Sequence, residues 1–574
     1  MTARRAIVFL VVLFGVLGGA ILVAALALRS PSPATPESTV LLFDVPGSLE
    51  EGTPPTSDGW LDLVRRDRPT VWMVSQGIRR AAEDDHIAAL VLHVDGLDWG
   101  WAKVSEVRAA VQAFRASGKP VYAALSGGGE REYLLASAAD MVASPPLAVL
   151  WLNGLSASAL FMRGTLDKVG VTPNFAQVGR YKSAVETWTH RGMSAPSREA
   201  LQALLDDHYA VLVDSLATAR GLEPDSVVRL LDDGPYGARE AMAAGLVDTL
   251  LHQAELDSLA AEEDGDSRPT LTLNRYIARL GARTGPRIAL VTAVGVIAEG
   301  RSRTSPTDGE ILGAETLIKT LREVRDRSSI RAVVLRIDSP GGSAQASDDI
   351  WREVKRCADA KPLVVSMSDL AASGGYYIAA PADSIVAEPS TLTGSIGAFG
   401  GKLNLLGLYR KLGLNVETVS RGRRAEMLSP FTDFTEEEAV RFQAQMNEVY
   451  RVFLDRVAEG RNRPVSDIDS VGQGRVWTGL SARSRGLVDA LGGITSAIEV
   501  ARALADIGPD ETLDVEVYPR VERTLWHRVF AGMLGEEDPD AAAALPPVVR
   551  AWLAAARFPS GAALTLMPWS IEIR

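Results

Sequence analysis

Ser373 lies in Ala371-Ala-Ser-Gly-Gly-Tyr-Tyr, after an apolar stretch and at the head of a helical pattern that continues through Ala380. A helix N-terminus favours negative charge, so a nucleophilic hydroxyl there would have the Gly374 N–H as an oxyanion donor. A plain N-cap serine would give the same local sequence. Asp338-Ser-Pro-Gly341-Gly342-Ser also follows an apolar strand. Paired glycines let the backbone approach a ligand and turn N–H groups toward it, often worth about 3 kcal/mol per donor to an oxyanion. A tight strand-to-helix turn is the alternative. A serine needs a base, and none of the six histidines (His86, His93, His190, His208, His252, His527) sits in a motif. Lysine can serve when burial lowers its pKa. Lys182, in Val178-Gly-Arg-Tyr-Lys-Ser-Ala-Val, is a basic residue in a mostly small or apolar stretch; a solvated surface lysine is the competing reading, and Lys402 is its rival. Ser395, in Thr393-Gly-Ser-Ile-Gly, could orient that amine or mark only a glycine turn. The chemistry implied is acyl transfer to water.

The elements that would carry these residues occur twice. Ile87-Ala-Ala-Leu-Val-Leu-His-Val-Asp95 matches Ile330-Arg-Ala-Val-Val-Leu-Arg-Ile-Asp338 at an offset of 243, and the same offset relates Tyr133 to Tyr376 and Asp140 to Asp383. In that register Ser373 falls opposite Glu130, Lys182 opposite Ala425, and the Gly-Gly turn opposite Gly96-Leu-Asp-Trp-Gly. One copy keeps a nucleophile and the other a base, so the site is expected at the seam between them.

Strands alternate with amphipathic helices in each copy, which implies right-handed crossovers and a mainly parallel sheet. The expected organisation is two tandem α/β domains. Residues 1–39 form an anchor and spacer, 40–253 the lysine-bearing copy, 254–287 a linker, 288–508 the serine-bearing copy, and 509–574 a tail without counterpart. Residues 6–28 are an unbroken apolar run preceded by Arg4 and Arg5, long enough to span a bilayer with the N-terminus inside. An uncleaved anchor is favoured over a signal peptide cut after Ala27. Within the tail, residues 548–557 have an amphipathic helical spacing. The net charge of −12 and the lack of a basic stripe argue against a nucleic-acid partner. The single cysteine, Cys357, excludes an intrachain disulfide and has the spacing of a core thiol.

Together these motifs, with Thr391-Leu-Thr-Gly-Ser-Ile-Gly and Val476-Trp-Thr-Gly, resemble the signal peptide peptidase A family, also called protease IV, in its long double-domain form. The resemblance runs from about residue 40 to near the end and includes the N-terminal anchor. It implies two Clp protease/crotonase-like (ββα superhelix) domains, with Ser373 as nucleophile and Lys182 as general base. It further implies Ser395 as the lysine's hydrogen-bond partner, an oxyanion hole of Gly374, Gly341 and Gly342, and no metal or cofactor. By the same resemblance the protein is a homotetramer on the periplasmic side of the bacterial cytoplasmic membrane, acting on cleaved signal peptides. Glu186-Thr187-Trp188 departs from the Glu-Pro-Phe expected there. Two other classes stay open: a crotonase-like acyl-CoA enzyme, which would need a CoA surface, and a catalytically inactive membrane scaffold.

Overall fold

A computed structural model of the chain describes residues 35–52, 69–263, 266–281, 283–305, 309–519, 561–567 and 572–573. The expected anchor at 6–28 and the helical spacing at 548–557 lie outside these residues. Among the described residues no helix is long and apolar enough to cross a membrane.

The first copy contributes β1 (Thr39–Asp44), β2 (Ile87–Val94), β3 (Val121–Leu125), β4 (Met141–Ser144), β5 (Thr172–Val178), β6 (Thr249–Leu250) and β7 (Thr270–Thr272). All but β5 form a six-stranded sheet in the order β7-β1-β2-β3-β4-β6, every neighbour parallel. The second copy contributes β8 (Arg287–Val294), β9 (Ile330–Ser339), β10 (Gly341–Ser343), β11 (Leu363–Ala372), β12 (Ser384–Ala387), β13 (Ala398–Asn404), β14 (Ala490–Leu491) and β15 (Asp514–Tyr518). There β15-β8-β9-β11-β12-β14 repeat the same parallel succession. Both sheets even slip register at the same place, between Thr39 and Val40 and between Arg287 and Ile288. The central strands read as near-continuous apolar runs because helices cover both faces. Thus Val333, Val334 and Leu335 in β9 are all fully buried.

Two expected boundaries shift. Residues 254–287 are not a linker: β7 pairs with β1, and Leu256, Leu271, Leu273 and Tyr276 are buried. Nor does the tail from 509 lack a counterpart, since β15 flanks β8 as β7 flanks β1. The charged composition of the first segment hid a few apolar residues, which are enough to close a sheet edge. Cys357 is fully buried in the second core.

A third sheet of seven strands joins the copies. Its order is Arg303–Ser305, Gly309–Gly313, Val296–Ala298, β10, β16 (Leu564–Leu566), β13, β5. The last pairing crosses the seam. β5 of the first copy runs antiparallel along β13 of the second, from Val178 opposite Ala398 to Thr172 opposite Asn404.

Candidate active site

The crossing strand delivers the lysine. Just after β5, Gly179 adopts φ +108°, and a Cβ there would meet the Gln473 carbonyl carbon at 2.6 Å. That close approach lets the Tyr181 N–H donate to the Gln473 oxygen at 2.7 Å. The stem of Lys182 then lies against two glycines of the second copy. A Cβ on Gly474 would fall 2.6 Å from the lysine Cβ, and one on Gly397 would fall 3.1 Å from its Cδ. Gly397 closes the Thr393-Gly-Ser-Ile-Gly397 motif and Gly474 closes Gly472-Gln-Gly474, but neither motif shows in sequence that its last glycine makes room for a lysine.

Ser373 follows β11 and stands at the N-cap of the helix Gly374–Ala379. Its backbone is strained, with φ +56° and ψ −113°. A non-glycine residue in such a conformation is uncommon and concentrates at functional sites. The turn is held by the Ser373 N–H, which donates to the Gly394 oxygen at 2.7 Å, and by the Ser373 oxygen, which accepts from the Tyr377 N–H at 2.8 Å. Ser395 also has a positive φ, +51°, fixed by its N–H donating to the Arg475 oxygen at 2.7 Å.

These turns converge. Lys182 Nζ lies 2.8 Å from Ser373 Oγ, 3.0 Å from Ser395 Oγ and 3.0 Å from the Ser395 carbonyl oxygen. All three residues are fully buried. Burial with no carboxylate beside it pushes the Lys182 amine well below its ordinary pKa. A neutral amine here can give two N–H groups to Ser395 and turn its lone pair to the Ser373 hydroxyl. The Gly-Gly turn reaches the same point, for Gly341 has φ +98° and a Cβ on it would sit 2.6 Å from the Gly374 nitrogen. The Gly341 N–H is already engaged by Ser339 Oγ at 3.2 Å, so Gly374 is the better placed donor of the two. Lys402 points elsewhere: its Nζ donates to the Ser429 oxygen at 3.0 Å and lies over the Phe434 ring. Among the described residues no histidine hydrogen-bonds to Ser373; His208 is buried with Nδ1 on the Leu204 oxygen at 2.8 Å.

A model of peptidase family S49 matches residues 113–265 and again 355–508. The chain belongs to peptidase family S49. It is 39% identical to "Serine protease SPPA, chloroplastic" of Arabidopsis thaliana, over 76% of this chain and 65% of that protein. It is 32% identical to "Protease 4" of Salmonella typhi, over 86% of this chain and 80% of that protein. A second "Protease 4", from Haemophilus influenzae, is also 32% identical, over 75% of this chain and 72% of that one. The two S49 matches fall one on each copy, taking in β3, β4 and β6 of the first sheet and β11, β12 and β14 of the second.

At the aligned position of the first copy two carboxylates take the backbone hydrogen bonds. Glu130, opposite Ser373 in register, accepts from the N–H groups of Asn153 and Gly154 at 2.9 and 2.8 Å. Glu132 accepts from the Leu97 N–H at 2.7 Å, on the turn that aligns with the Gly-Gly turn, and from the Gly129 N–H at 2.9 Å. Four backbone N–H groups around this position are thus satisfied internally by the two carboxylates.

The seam is tied by buried charge on the strands that carry the site. Arg336 of β9 is fully buried; its Nε and Nη2 donate to Glu51 at 2.8 and 2.9 Å, and Nη1 lies 2.6 Å from Glu106. Burial alone would raise the Glu51 pKa, but the charges of Arg336 and Lys103 and a hydrogen bond from Ser368 hold it down at about 2. Asp369, near the end of β11, accepts from the N–H groups of Gly100, Ala102 and Lys103 at 3.2, 2.9 and 3.1 Å, so it caps the first-copy helix Trp101–Ala116. Lys103 returns a salt bridge to Asp338 at 2.9 Å. The strands ending in the Gly-Gly turn and in Ser373 are thereby locked to the copy that brings Lys182.

Proposed function

We propose that this chain is a serine protease working through a Ser373/Lys182 dyad, and that cleaved signal peptides are its substrates. The observation that carries the reading is the 2.8 Å approach of Lys182 Nζ to Ser373 Oγ in a buried site without a carboxylate. Neutral Lys182 takes the hydroxyl proton as Ser373 Oγ bonds to the peptide carbonyl carbon. The oxyanion is held by the Gly374 N–H and the Gly341–Gly342 turn. Protonated Lys182 then gives its proton to the departing amine, and water, deprotonated by the same lysine, releases the acyl group. Ser395 keeps the amine aimed at Ser373.

The two duplicated parallel sheets and their crossing strand fit the Clp/crotonase-like superhelix implied by the sequence motifs. The proposed divisions are a first domain through β7, a second from β8 through β15, and the tail beyond. The apolar run at 6–28 supports a membrane-anchored enzyme whose bulk lies on the periplasmic side. A homotetramer remains part of the proposal, on the family resemblance. The direct test incubates the purified chain with a synthetic signal peptide in detergent. Cleavage should be lost in Ser373→Ala, and full cleavage by that variant would reject the dyad.

A further inference from the structure

We infer that β16 and the Met567 that follows it occupy the substrate groove as a built-in competitor, and that their side chains trace the subsites a peptide must fill. The inference rests on the protease reading above. A peptide whose carbonyl is to reach Ser373 has to run extended beside the Gly-Gly turn. β16 already lies there, between β10 and β13 and antiparallel to both. The Ala344 N–H donates to the Ala563 oxygen at 3.2 Å, the Met567 N–H to the Pro340 oxygen at 2.7 Å, and the Gly561 N–H to the Gly401 oxygen at 2.9 Å. The Thr565 carbonyl presses on the turn itself, since a Cβ on Gly341 would lie 2.0 Å from that oxygen.

Alternation along the strand sorts the side chains onto two faces. Leu564 and Leu566 join a buried cluster with Met162, Val185, Trp188 and Phe399. On the other face, Thr565 Oγ1 is 3.0 Å from where a Cβ on Gly374 would stand. Met567 packs with Ala372, the residue before the nucleophile, and with Leu204 and Val476. The segment Ala562-Ala-Leu-Thr-Leu-Met567 therefore has the form of an extended apolar peptide held through its backbone, with pockets for alternate residues. A paired edge cannot accept a second strand, so substrate must displace the tail. Among the described residues β16 itself spans Leu564–Leu566, with flanking backbone bonds at Gly561, Ala563 and Met567. The groove so defined selects peptides with leucine-like residues on one face and a small residue followed by an unbranched apolar one on the other.

The test uses the full chain carrying Leu564→Asp and Leu566→Asp, which put carboxylates into the apolar cluster. KM for a fluorogenic apolar peptide should fall about tenfold or more with kcat little changed, as expected when a mostly occluded site is opened. The free peptide Gly-Ala-Ala-Leu-Thr-Leu-Met should inhibit this variant competitively and inhibit the unaltered chain less. Thr565→Pro, which removes one backbone donor from the strand without adding charge, serves if the double variant does not fold. Binding of the labelled heptapeptide, read by fluorescence anisotropy in a Ser373→Ala background, separates this inference from the protease reading. Tighter binding by the tail variant without cleavage by any form would sink the protease reading and leave the tail in the groove. Unchanged KM and unchanged binding, or lost activity in folded variants, would make β16 a fixed structural strand and overturn the inference.

Discussion

Lys182 and Ser373 are 191 residues apart in the chain and 2.8 Å apart at their reacting atoms. The contact exists because β5, a first-copy strand, completes a sheet of the second copy along β13. Neither copy contains both residues, so the proposed active site belongs to the seam.

Removing the lysine should separate activity from stability. Native Lys182 takes up its proton only at a pH well below that required in the unfolded chain, because burial disfavours the charged amine. Between the two pKa values the unfolded state binds more protons, so stability rises with pH across that window. Lys182→Met should abolish hydrolysis yet melt no lower than the unaltered chain. Its advantage should be largest below the window and shrink as pH rises through it. Thermal melts over a pH series check this, and a variant that melts lower at every pH contradicts it.

In the proposed mechanism Ser395 acts through the lysine, which it meets at 3.0 Å. Ser395→Ala should lower kcat about ten- to a hundredfold, the scale of one hydrogen bond to an ionisable group, while KM stays near its original value. Steady-state kinetics on one peptide decide; a change confined to KM would assign Ser395 to substrate binding.

Arg336 pairs across the seam with two buried carboxyl groups, Glu51 and Glu106. Arg336→Met leaves Glu106 without its charge partner and Glu51 with only Lys103 and Ser368, and should cost about 3–5 kcal/mol in urea unfolding. Adding Glu51→Gln and Glu106→Gln to it should recover part of that loss. No recovery would mean that Arg336 acts through packing alone.

Glu388 lies in the same buried region. Burial first, and then the neighbouring Glu106 charge, raise its pKa from 4.5 to about 8 against the pull of Arg336. A raised carboxyl pKa means that stability present below the unfolded value is lost as pH climbs to the folded one. Stability should therefore decline between about pH 4.5 and 8. Glu388→Gln should flatten that part of the profile, measured by urea unfolding at several pH values; an unaltered slope would rule Glu388 out as its source.

The sequence carried more of the site than of the fold's edges. Ser373, Lys182, Ser395 and the Gly-Gly turn were legible because each sits in a motif that needs small neighbours, and because the 243-residue register set Ser373 against Glu130 and Lys182 against Ala425. Gly397 and Gly474 were not legible as site residues, since their role is to leave room for a lysine from the other copy. The edge strands β7 and β15 escaped notice because a short edge strand needs few apolar residues, and their surroundings are charged. β16 was hidden for a related reason. Nothing local in Leu564-Thr-Leu566 says which edge it will join, and its partner β10 lies more than two hundred residues earlier. The hydrogen bonds of Glu130 and Glu132 also required coordinates, because their partners are backbone N–H groups.

The central claim is that a lysine from one copy activates a serine of the other. Its most direct test is the rate at which a small serine-directed phosphonylating reagent labels the chain, with the modified residue mapped by mass spectrometry. The account predicts one label, on Ser373, formed at a rate that rises with pH as Lys182 loses its proton and that collapses in Lys182→Met. Labelling of Lys182→Met at the original rate, or of a different serine in the unaltered chain, would contradict it.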